Sequence, residues 1–360
     1  MRVFIALILS FCLVGCFDEE PKSALQLLKI QTQMSTPTGN FEQPSADRPV
    51  QLPFDHGPHF DYRHEWWSLH ANLVDEQGNH YGLRWLLLRY NLNDSQKKGW
   101  ATPHLYISHF ILTDEDEMVA FERFARGGIG QSGSLRSPFT LWIDDWQWQG
   151  EDEMPLPATL NLKEKQYQLS LEMDKAPFWV AFGDHGYMQT DPQAGHHIYW
   201  VGAPKVHIQG QLKEGNKTFT LTGMGWFDHQ WSSNKFNDKQ LNWERFSLHL
   251  SDGRELLIAR LRDNIGRTKH QFGFLIEPNG KQIALNKGDF QLKAEGIGVA
   301  GVGKRLPLIW RIRVPEYQID IRTDPLHDRQ WSHFSIPFWD GPVFVTGSHT
   351  GKGFMELTGY

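Results

Sequence analysis

The chain has 360 residues, enough for one large domain or two. It is 40% hydrophobic and 22% charged, with a mean hydropathy of −0.49, an ordinary soluble composition that permits a sizeable core. A formal charge of −6, a pI near 6.3 and no basic run longer than a pair or so argue against a nucleic-acid partner. Fifteen tryptophans are many; each buries a large apolar ring and keeps one N–H to satisfy.

In chain order, Met1-Arg2 is a short positive start and Val3 to Gly15 an apolar run. That run is shorter than the roughly 20 residues that span a bilayer, so residues 1–15 read as a signal peptide. Its end, Leu13-Val14-Gly15-Cys16, resembles the bacterial lipobox. The resemblance implies lipidation of Cys16. Phe17, where an aspartate would retain a lipoprotein in the inner membrane, implies the outer membrane, facing the periplasm. Cys12 leaves with the signal, so the folded part holds no thiol for a disulfide or a thiolate metal site. Residues 16–50, with four prolines and little periodicity, read as a tether, with a short helix possible at Ala24–Gln33.

From Glu65 the pattern is β. Trp67, Leu69, Ala71 and Leu73 alternate with Trp66, Ser68, His70 and Asn72. A turn at Asp75–Asn79 leads to strands at His80–Tyr90, His104–Leu112 and Met118–Arg126, then at Thr140–Ile143, Tyr167–Met173, Val206–Leu212 and Thr218–Trp226. Gly128 to Gly133 formally matches GxGxxG, but Pro138 and a β-like stretch follow in place of a helix. It reads as a flexible loop at a barrel mouth. Phe246-Ser247-Leu248-His249, a Gly-containing turn and Glu255–Arg262 repeat the pattern of Trp67-Ser68-Leu69-His70 and its hairpin. The repeat predicts two related β domains, 51–233 and 234–360, joined in Ser232–Lys239. Strands follow at Phe272–Ile276, Trp310–Val314, Tyr317–Arg322, Val343–Gly347 and Phe354–Thr358.

Three clusters could carry chemistry. The first, Asp55 to Leu73, holds Asp55, His56, His59, Tyr62, His64 and Glu65-Trp66-Trp67. The second is His196 to Trp200, and the third Gly223 to Trp231. Asp228-His229 among Trp226, Phe227 and Trp231 is either an acid kept neutral by aromatic surroundings, able to protonate an alkene, or a hydrogen-bonding pair at the domain junction. His56, His59, His64 and Glu65 match no zinc spacing, and no metal is expected. His70 and His249, at equivalent repeat positions, read as structural.

The first cluster and Gly225 to Trp231 of the third, with Trp339-Asp340-Gly341-Pro342, Gly347, Gly351 and the ending Glu356-Leu357-Thr358-Gly359-Tyr360, resemble the lipocalin-like proteins that include carotenoid 1,2-hydratase and the AttH-type lipoproteins. The resemblance covers nearly everything from Gln51 onward. It implies two lipocalin-like antiparallel β barrels or half-barrels packed together around an apolar cleft. In the hydratase branch water is added to an isoprenoid double bond without a cofactor. The implied acid is Asp228, assisted by His197, with Tyr199 and Trp226 lining the pocket. Tyr62, His59, Glu65, Trp66, Trp67, His229 and Trp231 are expected around the ligand or at the seam. Asp228-His229-Gln230-Trp231 is nearer the AttH branch, often linked with ABC transporters of the FtsX-like permease class. Two functions follow: a membrane-anchored binder of an apolar ligand serving such a transporter, or a hydratase or isomerase of isoprenoid double bonds.

Overall fold

The computed structural model describes residues 39–95, 97–191, 195–234, 242–301 and 303–360. The signal peptide, Cys16, the helix at Ala24–Gln33 and most of the domain join lie outside the described residues. No helix among the described residues is long and apolar enough to cross a membrane.

Two antiparallel sheets make up the fold. The first contains β1 (His64–Asp75), β2 (His80–Asn91), β3 (His104–Thr113), β4 (Met118–Arg126), β5 (Ser132–Leu135), β6 (Thr140–Ile143), β7 (Trp146–Glu151), β8 (Met154–Glu164), β9 (Tyr167–Met173), β10 (Val180–Ala181), β11 (Tyr187–Asp191), β12 (His196–Glu214) and β13 (Lys217–Ser232). Its order is β4-β3-β2-β1-β13-β12-β9-β8-β7-β6-β5. The ends of this path meet at a bridge between Gly127 and Ser132, which nearly closes a barrel. Arg123 fastens the same gap by bonding Asp145 and Glu164. The glycine-rich segment is therefore not only loop: Ser132 and Gly133 belong to β5, and β6 follows, so no helix-borne phosphate site forms.

The second sheet contains β14 (Trp243–Leu250), β15 (Glu255–Arg262), β16 (Thr268–Ile276), β17 (Gln282–Leu285), β18 (Gln291–Val299), β19 (Arg305–Val314), β20 (Ile319–Pro325), β21 (Trp331–Ser332), β22 (Phe338–Gly347) and β23 (Gly351–Thr358). It curls into a half-barrel, ordered β17-β16-β15-β14-β23-β22-β20-β19-β18. The repeat is structural. β1 lies between β2 and β13 as β14 lies between β15 and β23, and Glu65 and Glu244 occupy the same position in them.

Alternation sets the layers, because neighbouring strand residues point to opposite faces. Trp67, Leu69, Ala71 and Leu73 fill the barrel with Trp85, Phe110, Trp146, Trp148 and Phe227, all buried. The other face of β1 and β2 packs on the second sheet. There His70 lies 3.2 Å from Asp340, which Arg84 also pairs at 2.5 Å. Phe182, Trp200 and Trp226 meet Leu257, Phe274 and Ile276 beside this polar seam.

Candidate functional site

Glu65 starts the inward-facing row of β1, opposite Arg89 on β2 and Trp231 on β13. At this end of the barrel the row is charged where deeper positions are apolar. Glu65 is fully buried and accepts from four donor groups: His59 N, which reaches both oxygens, His59 Nδ1 at 2.8 Å, His229 Nε2 at 2.8 Å and Arg89 Nε at 3.2 Å. His59 Nε2 lies 3.1 Å from Asp55 Oδ1, and Asp55 is held in turn by Arg48 and by Gln51 N. The His59 ring stacks on Trp231 at 4.0 Å, and the His229 ring on Trp67 at 4.9 Å.

The electrostatics separate the histidines. Burial opposes charge on His59, but Glu65 and Asp55 on its two nitrogens outweigh it and raise its pKa. Burial holds the His229 pKa down, despite its bond to Glu65. Burial, helped by the nearby His59 cation, lowers His56 to about 3. Desolvation works against Asp55 and Glu65 as anions, yet their hydrogen bonds and cationic neighbours lower both, Asp55 to about 2. With both nitrogens against carboxylates, His59 is the imidazolium. His229 gives its Nε2–H to Glu65, which leaves Nδ1 as a bare acceptor, and that atom has no partner in the structure. His56 Nδ1 and Nε2, Arg89 Nη1 and the indole nitrogens of Trp67 and Trp231 are likewise buried without partners. The cluster thus sets a cationic imidazole, bonded on both sides, and a neutral one with a bare nitrogen on one carboxylate.

The donor atoms of His59, Glu65 and His229 lie within 4.8 Å of one another, the reach of a metal ligand set. Glu65 already serves the backbone and side chain of His59, His229 and the Arg89 guanidinium, so protons satisfy this arrangement.

A pH effect follows from the buried neutral histidines. Because the folded-state pKa of His56 is depressed, the unfolded chain takes up the proton first as pH falls below about 6.5. Stability is lost from there down to the folded pKa, and His56 alone is expected to remove about 3 kcal/mol by pH 4. Denaturant unfolding at pH 7 and pH 4 measures this, and His56→Phe should flatten the difference.

The predicted site residues fall into two groups. His59, Tyr62, Glu65, Trp67, Tyr199, His229 and Trp231 converge; Tyr62 and Tyr199 meet edge to face at 6.0 Å, and Tyr199 lies 5.3 Å from Trp231. Residues 39–50 run over this group, where the Tyr199 hydroxyl accepts from Ser45 N and donates to Ser45 O, both at 3.0 Å. His197 stands at the rim, stacked on Tyr187 and 2.6 Å from its hydroxyl. Asp228, Trp226 and Trp66 lie on the opposite face of the sheet, because Asp228 pairs with Gly202 and Ser68 while His229 pairs with Val201 and Trp67. Asp228 Oδ1 accepts from Trp200 Nε1 at 2.7 Å and from Trp226 Nε1 at 3.2 Å, and Arg245 of β14 binds Oδ2. A Cβ on Gly202 would stand 2.8 Å from Phe182 and 3.0 Å from Asp228, so the glycine makes room for this seam. The structure does not bring Asp228 and His197 together.

The second half provides an internal comparison. Glu244, also buried, pairs with Arg260 on β15 and with Arg262, and the Tyr360 hydroxyl binds it. Burial and the charge of Glu244 raise the Tyr360 pKa. A Glu–Arg pair therefore belongs to both halves, whereas Asp55, His59 and His229 belong to the first. Arg89 and Arg48 escape sequence reasoning, although the hairpin register could have found Arg89: it and Glu65 are equidistant from Gln77 at the turn.

The comparisons agree with this architecture. A crystal structure of a protein assigned as AttH from Nitrosomonas europaea superposes with a TM-score of 0.80 at 21% identity, covering 89% of this chain and 99% of that one. Kievitone hydratase from Nectria haematococca superposes with a TM-score of 0.64 at 15% identity, covering 89% and 96%. No curated protein matches the sequence. The AttH-like family model matches residues 43–360, nearly the whole described structure, and the chain belongs to the AttH-like family.

Proposed function

We propose that this protein adds water to, or removes it from, a double bond of an apolar, isoprenoid-like ligand, using the His59–Glu65–His229 cluster and no cofactor. The carrying observation is the bare Nδ1 of His229, backed through Nε2 by Glu65. In the addition direction His229 takes a proton from water as its oxygen bonds to carbon. The neighbouring carbon then receives that proton back from His229 Nδ1, so the ring ends as it began. Glu65, 2.8 Å from a nitrogen of each ring, stabilises the His229 imidazolium between the two steps and, with His59, fixes its orientation. The fold likeness to a hydratase supports this choice of reaction. The lipobox at Cys16 supports an anchor in the outer membrane facing the periplasm, where lipophiles arrive.

A second reading is a binder that holds such a ligand and hands it to an ABC transporter permease. The fastening of residues 39–50 across the site through Ser45 and Tyr199 favours it. Incubation with isoprenoid lipids, followed by mass spectrometry, separates the two. A gain or loss of one water that disappears in His229→Gln supports the hydratase. Tight binding with unchanged ligand mass supports the binder and ends the catalytic proposal.

A further inference from the structure

We infer that the rim around the mouth of the first barrel docks on a lipid bilayer surface, so that the site opens toward the membrane. This rests on reading that barrel as the site of an apolar ligand.

In antiparallel order, β1 begins, β2 ends, β3 begins and β4 ends at this rim. The loops there carry large exposed apolar side chains: Trp100 at 78%, Phe54 at 58%, Phe60 at 42% and Leu52 at 38%. They are held outward by their neighbours. Arg136 stacks on the Phe54 ring at 4.2 Å, and Arg126 binds the Trp100 and Thr102 carbonyls. An aromatic rim of this kind, with cations around it, suits the headgroup layer. Lys97 and Lys98 are exposed beside Trp100, with Asp61 and Asp94 the exposed acids of the same loops. The turns at the opposite end of the barrel carry Glu76 and Asp114 to Glu117 but also the exposed Lys163, Lys165, Lys213 and Lys217, so it is the exposed aromatic rings, not net charge, that set the rim apart.

The chain outside the structure points the same way. Twenty-two residues separate Cys16 from Gly39 and span about 70 Å when extended, which permits any orientation. Their end is fixed at the rim, where Asn40 N donates to Asp94 Oδ2 in the β2–β3 loop at 2.9 Å. A lipid on Cys16 and the aromatic rim then act on one bilayer.

The mature protein, reconstituted in phosphatidylethanolamine–phosphatidylglycerol vesicles, tests this with nitroxides on Trp100→Cys, Phe54→Cys and Glu76→Cys. Labels at 100 and 54 are expected to be about tenfold less accessible to a water-soluble nickel chelate than the label at 76. Equal accessibility at the three positions overturns docking. In a second measurement, Phe54→Ser combined with Trp100→Ser should lower turnover of vesicle-borne ligand about tenfold and leave turnover of micellar ligand unchanged. Equal turnover of vesicle-borne ligand by parent and variant overturns the inference. If the parent turns over neither form, the proposed reaction fails, and the nitroxide comparison still decides the docking.

Discussion

Glutamine in place of Glu65 is expected to lower the unfolding free energy by about 3–5 kcal/mol, the usual cost of removing one partner of a buried ion pair. The side chain is fully buried, and the substitution leaves Arg89 without its anion and the His59 imidazolium with Asp55 alone. The His59 pKa should then fall, because one of the two carboxylates that offset its desolvation is gone. Glu244→Gln provides the comparison. It strands Arg260 and Arg262 in the equivalent position of the second half and is expected to cost a similar amount. Only Glu65→Gln should also abolish ligand turnover, since only the first half adds histidines to the pair. Chemical denaturation of both variants and NMR titration of the His59 ring check these outcomes. A Glu65→Gln protein that keeps full turnover would remove the cluster from the mechanism.

Much of the fold was legible because sheet burial leaves a period of two. Tyr167–Met173 stands as a strand with the bounds its alternation predicts, and Met118–Arg126, Thr140–Ile143 and Glu255–Arg262 keep the bounds read from their turns, apolar runs and the repeat. β7 and β8 were hidden. Trp146 and Trp148 alternate for only a short run, and two prolines interrupt the start of β8. The repeat was legible for a physical reason: β1 and β14 bury the same alternating row, Trp67 and Leu69 in the first core and Phe246 and Leu248 in the second. The Glu65, His59 and His229 positions were visible as a polar excess among aromatics. Their convergence depends on residues 51–62 folding back over the barrel, which no periodicity encodes.

The faces of β12 were the hardest part to read. Its hairpin with β13 opens with Glu214 opposite Lys217, and that register, continued unbroken, would set Ala203 opposite Asp228 and put Tyr199 and His197 on the Asp228 face. A bulge between Ala203 and Val206 shifts the register by one residue and places Gly202 there instead. A slip of one residue turns every side chain beyond it to the other face. Pro204 within the strand is the one local sign of the bulge, since a proline cannot donate to the ladder. This single residue separates the expected Asp228–His197 pair and unites Tyr199 with Trp231.

His229→Gln and Asp228→Asn, adjacent in sequence and on opposite faces, should therefore behave differently. Glutamine at 229 can still donate to Glu65 but has no ring nitrogen to take a proton. Turnover is expected to fall about 10²- to 10⁴-fold, the usual contribution of a positioned general base. Asparagine at 228 leaves Arg245 without its anion and loosens the bond between the sheets. It is expected to cost about 3–5 kcal/mol of stability. The folded fraction should keep its turnover, because the indole donors of Trp200 and Trp226 and the Arg245 guanidinium fill the Asp228 carboxylate with structural bonds. Turnover measured well below each variant's melting transition separates the chemical loss from the structural one. If Asp228→Asn is inactive while folded and His229→Gln is active, the reacting ligand meets the sheet on its other face, among Trp200, Trp226 and the seam with β14.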